Sequence, residues 1–268
     1  MTNKIHPTAL IEDSVKLGKN NIIGPYCVLT GNIKLGNGNE LKSHVVMHGH
    51  GKTTIGDNNI FFPFSSFNVP QDKKFAGEET AKLEIGDRNI FREYSTANPG
   101  TEAGSMLTKI GNDNLFMMSS HIAHDCEIGS NIVMANSVAI AGHVTIGDYA
   151  TIGGLSAVLQ RTRIGEHAMI GGMSAVAGDV IPYGMVVGDR AYLAGLNIVG
   201  LRRRGFSKES MHGLRHAYEI VFAESADRNF SERIEFASEE FKSCAEAQNM
   251  LKFISDNSLA SRSLCKPR

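Results

Sequence analysis

The sequence predicts a mainly β protein: a parallel β-helix of six-residue repeats over residues 1–190, followed by a small α-helical C-terminal domain over 191–268. Three observations carry that expectation. Apolar residues recur at every sixth position from Ile110 to Val176 without a gap. Pairs such as Ile-Gly and Leu-Gly punctuate the same stretch and the one before it. After Pro182 the rhythm stops, and apolar residues return at helical spacing.

Stepping by six from Ile110 meets Phe116, Ile122, Ile128, Met134, Ile140, Ile146, Ile152, Val158, Ile164, Ile170 and Val176. The fourth residue after each is small or aliphatic in most repeats, as with Cys126, Val138, Ala150, Thr162 and Ser174. A period of six fits neither a helix of 3.6 residues per turn nor the alternation of an ordinary strand. It fits short strands joined by tight corners, each repeat forming one face of a prism. Earlier copies begin at Ile5, Leu35, Ile55 and Ile85. Three repeats complete one coil, so residues 18 apart stand in a column with about 4.8 Å between coils.

Two segments interrupt the rhythm, 63–84 and 97–109, and are expected to leave the prism as loops that carry binding groups. Beyond Ser207, the spacing of Met211, Leu214, Tyr218 and Val221 predicts a helix, and a second helical stretch is expected from about Ser231 to Ser255. These helices would cover the open end of the coil.

A formal net charge of −1 gives no general attraction to nucleic acid. The chain starts with no signal segment and holds no apolar run long enough to span a bilayer, so no integral membrane segment is expected. Cys27, Cys126, Cys244 and Cys265 form no CxxC pair and are expected to be reduced thiols of a cytoplasmic protein.

Chemistry concentrates in Ser119–Gly129, "SSHIAHDCEIG". Cys126 falls at the small inward position and is expected to be a core thiol, too buried to act as a nucleophile. His124 and Asp125 fall at a corner and His121 just before a strand, where they are accessible. One coil up from His124 stands Gly142, followed by His143, and one coil further stands Gln160. A base, an orienting carboxylate, an uncovered glycine amide and an amide side chain would then line one edge, as acyl transfer requires.

The motifs "SHIAHDCEIG", "NLFMMSS", "AGHVTIGDYATIGGLSAV", "PQDKKFAGEET" and "GLNIVGLRRRGF" resemble those of the UDP-N-acetylglucosamine O-acyltransferases of lipid A biosynthesis, over essentially the whole chain. The resemblance implies a left-handed coil and a cytoplasmic homotrimer with active sites between neighbouring chains. It implies transfer of an (R)-3-hydroxyacyl chain from acyl carrier protein to the 3-position of UDP-N-acetylglucosamine, without a metal or organic cofactor. His124 then matches the general base, Asp125 its partner, and Gly142 the residue whose amide faces the oxyanion. His121 and His143 match substrate contacts, and Asp72 and Lys74 the loop that holds the sugar nucleotide. Gln160, Asn197, Arg203 and Arg204 match positions toward the diphosphate and nucleotide, and Gly172 the position that limits acyl length. Asn98 and Leu159 stand where the best-known members carry histidines, and Val199 stands at a usually acidic position. These departures point to kept chemistry and a possible shift in acceptor, for example to a 3-amino sugar.

Other readings stay open on the sequence. His121, His124 and His143 could converge on zinc, as in hexapeptide-repeat carbonic anhydrases. A related N-acyltransferase, a small-donor acetyltransferase and a non-catalytic scaffold share the repeat. A basic surface for the acidic carrier protein is expected among Arg161, Arg163, Arg190 and Arg202 to Arg204.

Overall fold

Residues 2–70, 80–223, 227–256 and 261–268 are described by the computed structural model of the chain. Each repeat forms a two-residue strand and a corner: Leu115–Phe116, His121–Ile122 and Glu127–Ile128 make one coil, and Val133–Met134, Ala139–Ile140 and Thr145–Ile146 the next. Strands this short hold only because each pairs in parallel with the coils above and below. The register steps by one coil, so Ile110 faces Ile128, Ile128 faces Ile146 and Ile146 faces Ile164. One face is an 11-stranded sheet, parallel up to its last strand. The other two faces join into a 15-stranded sheet through Val28–Leu35 and Val46–Ile55, which turn a corner without a break.

All the residues of the six-step series from Ile110 to Val176 are buried, and so are the small residues that follow them. In the earlier coils the interior also holds a polar column. Asn39, Asn59, Asn89 and Asn114 are buried at one corner. Each side-chain N–H₂ donates to a glycine carbonyl of the next coil: Gly56, Gly86, Gly111 and Gly129 respectively, at 2.9–3.0 Å. Each side-chain oxygen accepts the backbone N–H of the next member, ending at Ile132. Beside this column Phe61, Phe91 and Phe116 stack at 5.2 and 4.7 Å, and Phe67 packs edge-on against the first two.

The interruptions are narrower than expected. Ser66–Phe67 still pairs with Val46–Ile55 and Thr96–Ala97, and Lys82–Ile85 pairs with Leu107–Ile110. Most of the first insertion, 71–79, lies outside the described residues. The second leaves the coil after Ala97 and rejoins it at Leu107.

The solenoid also runs past residue 190, because Gly184–Val187 and Tyr192–Leu196 form an antiparallel hairpin on its last rung. Among the described residues four helices follow: α1 (Ile198–Arg203), α2 (Lys208–Val221), α3 (Phe230–Glu240) and α4 (Ala245–Ser255). The single stretch expected over 231–255 is thus two helices, separated at Phe241 to Cys244. A capping box between Asn229 and Glu232 starts α3, and α4 buries Ala247, Met250, Leu251 and Ile254.

Arg163, expected on a basic surface, is instead buried. Its Nε donates to Asp179 at 2.7 Å, its terminal nitrogens donate to the carbonyls of Asp256 and Phe253, and its guanidinium lies 4.4 Å from the Phe253 ring centroid. The carbonyls left free where α4 ends are thereby satisfied by the last coil. The chain terminus returns to the same rung, where the Cys265 N–H donates to the Asp179 carbonyl and the Leu193 N–H to that of Lys266.

Asn59→Ala strips partners from the Gly86 carbonyl and the Asn89 N–H inside a buried column. A loss of about 2–4 kcal/mol is expected. Denaturant unfolding checks it; a change under about 0.5 kcal/mol would show that the column contributes little.

Candidate active site

His121–Ile122 is one face of a coil, and the chain turns the next corner at His124 and Asp125. Asp125 adopts a φ of +58°, and the residues stacked above it, His143 and Arg161, adopt +61° and +63°. Aspartate tolerates this left-handed conformation comparatively well. The turn buries the Asp125 side chain, leaving it 1% exposed, while that of His124 stays 27% exposed. His124 Nδ1 lies 2.8 Å from Asp125 Oδ2. An ionised carboxylate can only accept, so Nδ1 carries the proton and Nε2 presents a lone pair outward.

Gly142 stands directly against that ring. A Cβ placed on it would fall 2.5 Å from His124 Cε1 and 2.6 Å from Nε2, so any side chain here would displace the imidazole. The corner is stitched by the Ala141 N–H to the Val158 carbonyl and the His143 N–H to the His124 carbonyl. The Gly142 N–H between them lies outside that ladder.

His143 packs edge-on against His124 with ring centroids 5.0 Å apart. Burial, chiefly, lowers its basicity; Asp125 pulls the other way, and Arg161 and His124 add to the lowering. His121 sits one strand earlier, its Nδ1 2.7 Å from the Thr96 hydroxyl. Burial and then the neighbouring His124 lower its pKa, so it is neutral near pH 7. Cys126 fills the inward position as expected, and burial pushes its thiol up to about 12.

A groove of about 520 Å³ opens from this corner and runs up the coils, with His121, His124, Gly142, Leu159 and Gln160 on its walls. Its floor is alanine: Ala139, Ala157 and Ala175 stack in register. The arrangement presents a base, a peptide N–H outside the backbone ladder and an apolar trough side by side.

His124, Asp125 and His143 could offer a metal ion ligand atoms within 4.8 Å of one another. The Asp125 oxygens are already taken, however, by His124 and by the N–H and hydroxyl groups of Thr101 and Ser105. That arrangement suits a carboxylate orienting a base better than one ligating zinc.

The other expected residues fall elsewhere. Asn98 lies one coil below this corner, buried, its amide donating to the Val69 carbonyl at 2.6 Å. Asp72 and Lys74 lie outside the described residues. Gly172 is on a second corner, beside Leu155 and Met173, which are 66% and 73% exposed. Asn197 caps α1, donating to the His167 carbonyl and accepting from the Gly200 N–H. That places it with Arg203 and Arg204 near a third corner, where the Arg204 guanidinium lies 5.5 Å from the Tyr149 ring centroid. Burial lowers the Arg204 pKa, against a smaller opposing effect of Tyr149. Val199, in α1, is exposed. Among the described residues, those of the expected set that gather around the groove are His121, His124, Asp125, Gly142, His143 and Gln160. Sequence reasoning missed Thr96, Thr101 and Ser105; the only signal for the last two was the break in the repeat.

A family model described as UDP-N-acetylglucosamine O-acyltransferase, domain 2, matches residues 179–265, and one described as bacterial transferase hexapeptide (six repeats) matches 14–49. A protein of Rickettsia canadensis named acyl-(acyl-carrier-protein)–UDP-N-acetylglucosamine O-acyltransferase is 46% identical over 98% of this chain and 97% of its own length. A protein of the same name from Paracoccus denitrificans is 52% identical over 58% of this chain and 60% of that protein. Among solved structures, the UDP-N-acetylglucosamine O-acyltransferase of Moraxella catarrhalis is 38% identical, with a TM-score of 0.89 over 97% of this chain and 99% of that one.

Gly142→Ala should push the His124 ring from its place and break its contact with Asp125. Turnover is expected to fall at least about tenfold with the fold intact by circular dichroism. Undiminished turnover would mean that the ring and this glycine do not work as a pair.

Proposed function

The chain belongs to the UDP-N-acetylglucosamine O-acyltransferase family, and we propose that it moves a 3-hydroxyacyl chain from acyl carrier protein onto the sugar 3-hydroxyl of UDP-N-acetylglucosamine, the first step of lipid A biosynthesis, with His124 as the base. The observation that carries this reading is the His124–Asp125 pair set against Gly142.

In this reaction His124 Nε2 takes the proton of the sugar hydroxyl as its oxygen attacks the thioester carbonyl carbon. The oxyanion that forms is met by the Gly142 N–H. Collapse of the tetrahedral intermediate breaks the C–S bond, and the imidazolium returns its proton to the departing sulfur. Asp125 keeps Nδ1 protonated throughout and stabilises the transient positive charge. His121, neutral and held by Thr96, and His143 are placed to contact the substrates. The apolar trough suits the hydrocarbon chain, its depth set by Gly172 and the neighbouring Met173 of an adjoining chain.

A homotrimer in the cytoplasm accompanies this reading. Asn197, Arg203 and Arg204, matched to the nucleotide end, and Gly172, matched to the acyl limit, occupy corners of the prism away from His124, and corners of one prism cannot meet each other. A second chain brings its Arg203, Arg204 or Gly172 to the first chain's groove. The exposed Leu155, Leu159, Met173 and Tyr149 are apolar surface that such contacts would cover. No described helix is long and apolar enough to cross a membrane.

His124→Ala is expected to lower transfer by at least about a thousandfold while the assembly keeps its size by light scattering. The assay supplies 3-hydroxyacyl carrier proteins of several lengths with UDP-N-acetylglucosamine or its 3-amino analogue, read by mass spectrometry. Ester formation is the expected product. Undiminished turnover by the variant, or amide product alone, would overturn the assignment.

A further inference from the structure

The segment from Asn98 to Met106 breaks the repeat, yet it packs over one side chain. The Asp125 carboxylate accepts from the Thr101 N–H at 3.1 Å and hydroxyl at 2.6 Å, and from the Ser105 N–H at 2.8 Å and hydroxyl at 3.1 Å. The loop backbone closes the remaining approach at Gly104, where a Cβ would lie 2.4 Å from Asp125 Oδ2 and 2.5 Å from Oδ1. From below, the Thr108 hydroxyl accepts the Asp125 N–H at 2.8 Å. A loop that turns four donor groups onto one carboxylate, in a coil that needs no loop there, is arranged around that carboxylate.

We propose that Thr101, Gly104 and Ser105 are positioning residues of the reaction: the second insertion clamps the Asp125 carboxylate and through it fixes the ring of His124. This rests on the reading of His124 as the base.

The clamp has an electrostatic side. Burial alone would raise the Asp125 pKa, but the Thr101 hydroxyl, His124, the Thr101 N–H and Ser105 together outweigh it and hold the carboxyl below its usual value. The charged or titratable groups around it are His124, His143 and the Cys126 thiol. A carboxylate kept ionised holds the Nδ1 proton and leaves Nε2 free to act as the base. Removing the loop donors leaves burial less opposed and raises the Asp125 pKa, weakening its hold on the ring.

The test is the Thr101→Val, Ser105→Ala double variant in the full chain, with Thr101→Ser as the conservative control. The double variant should lose about 10- to 100-fold in kcat, with KM for both substrates within about twofold. Thr101→Ser, which keeps the hydroxyl, should behave as the unmodified enzyme. A kcat within about threefold would overturn the clamp. So would a loss of kcat that comes with a rise in KM and lowered thermal stability, or that Thr101→Ser fully shares, since that is a structural role only. The two readings fail separately: active His124→Ala removes the base, whereas inactive His124→Ala with an unaffected double variant removes only the clamp.

Discussion

Backbone hydrogen bonds between coils run from one residue to the carbonyl 17 positions on, as from Glu127 to Val144 and from Thr145 to Thr162. Everything else in the solenoid is subordinate to that ladder. It decides which residues stack, and it leaves each side chain only two directions, into the prism or out of it. Because His121 and Ala139 are paired, so are the positions that follow them, and the ring of His124 meets the bare backbone of Gly142. The site is therefore placed by rigid, mutually bonded strands, which hold an active geometry better than free loops do.

The interior keeps the ladder in register by two different means. In the early coils the asparagine column turns its amide N–H₂ groups and oxygens to the neighbouring coils, so a slipped register would strand several buried polar groups at once. From Ile132 onward the same corner holds Ile132, Ala150 and Ala168, and register rests on shape alone. The groove lies along these later coils, where the alanine floor leaves room outside.

How much of this could be read in advance follows from distance along the chain. His124, Asp125, Gly142 and Gln160 were legible because a strict period fixes their neighbours. Asn39, Asn59, Asn89 and Asn114 were not, because a register shift within Val46–Ile55 and the two insertions make their spacings 20, 30 and 25 instead of 18. Thr101 and Ser105 belong to a segment with no period at all. Arg163 was misassigned to the surface because its aromatic and carbonyl partners lie about 90 residues away. The break between α3 and α4 carries neither glycine nor proline, so nothing local announced it.

The last few residues have a role in the order of events. Ser263 and Cys265 lie against Asp179 on the final rung, and Lys266 against Leu193. A ribosome releasing this protein has emitted every coil before those residues emerge. Until then the top of the stack offers an unpaired peptide edge of the kind that recruits foreign strands. Closure of the growing column thus waits for Ser263 to Lys266, and a chain cut before them would yield a tower without its seal.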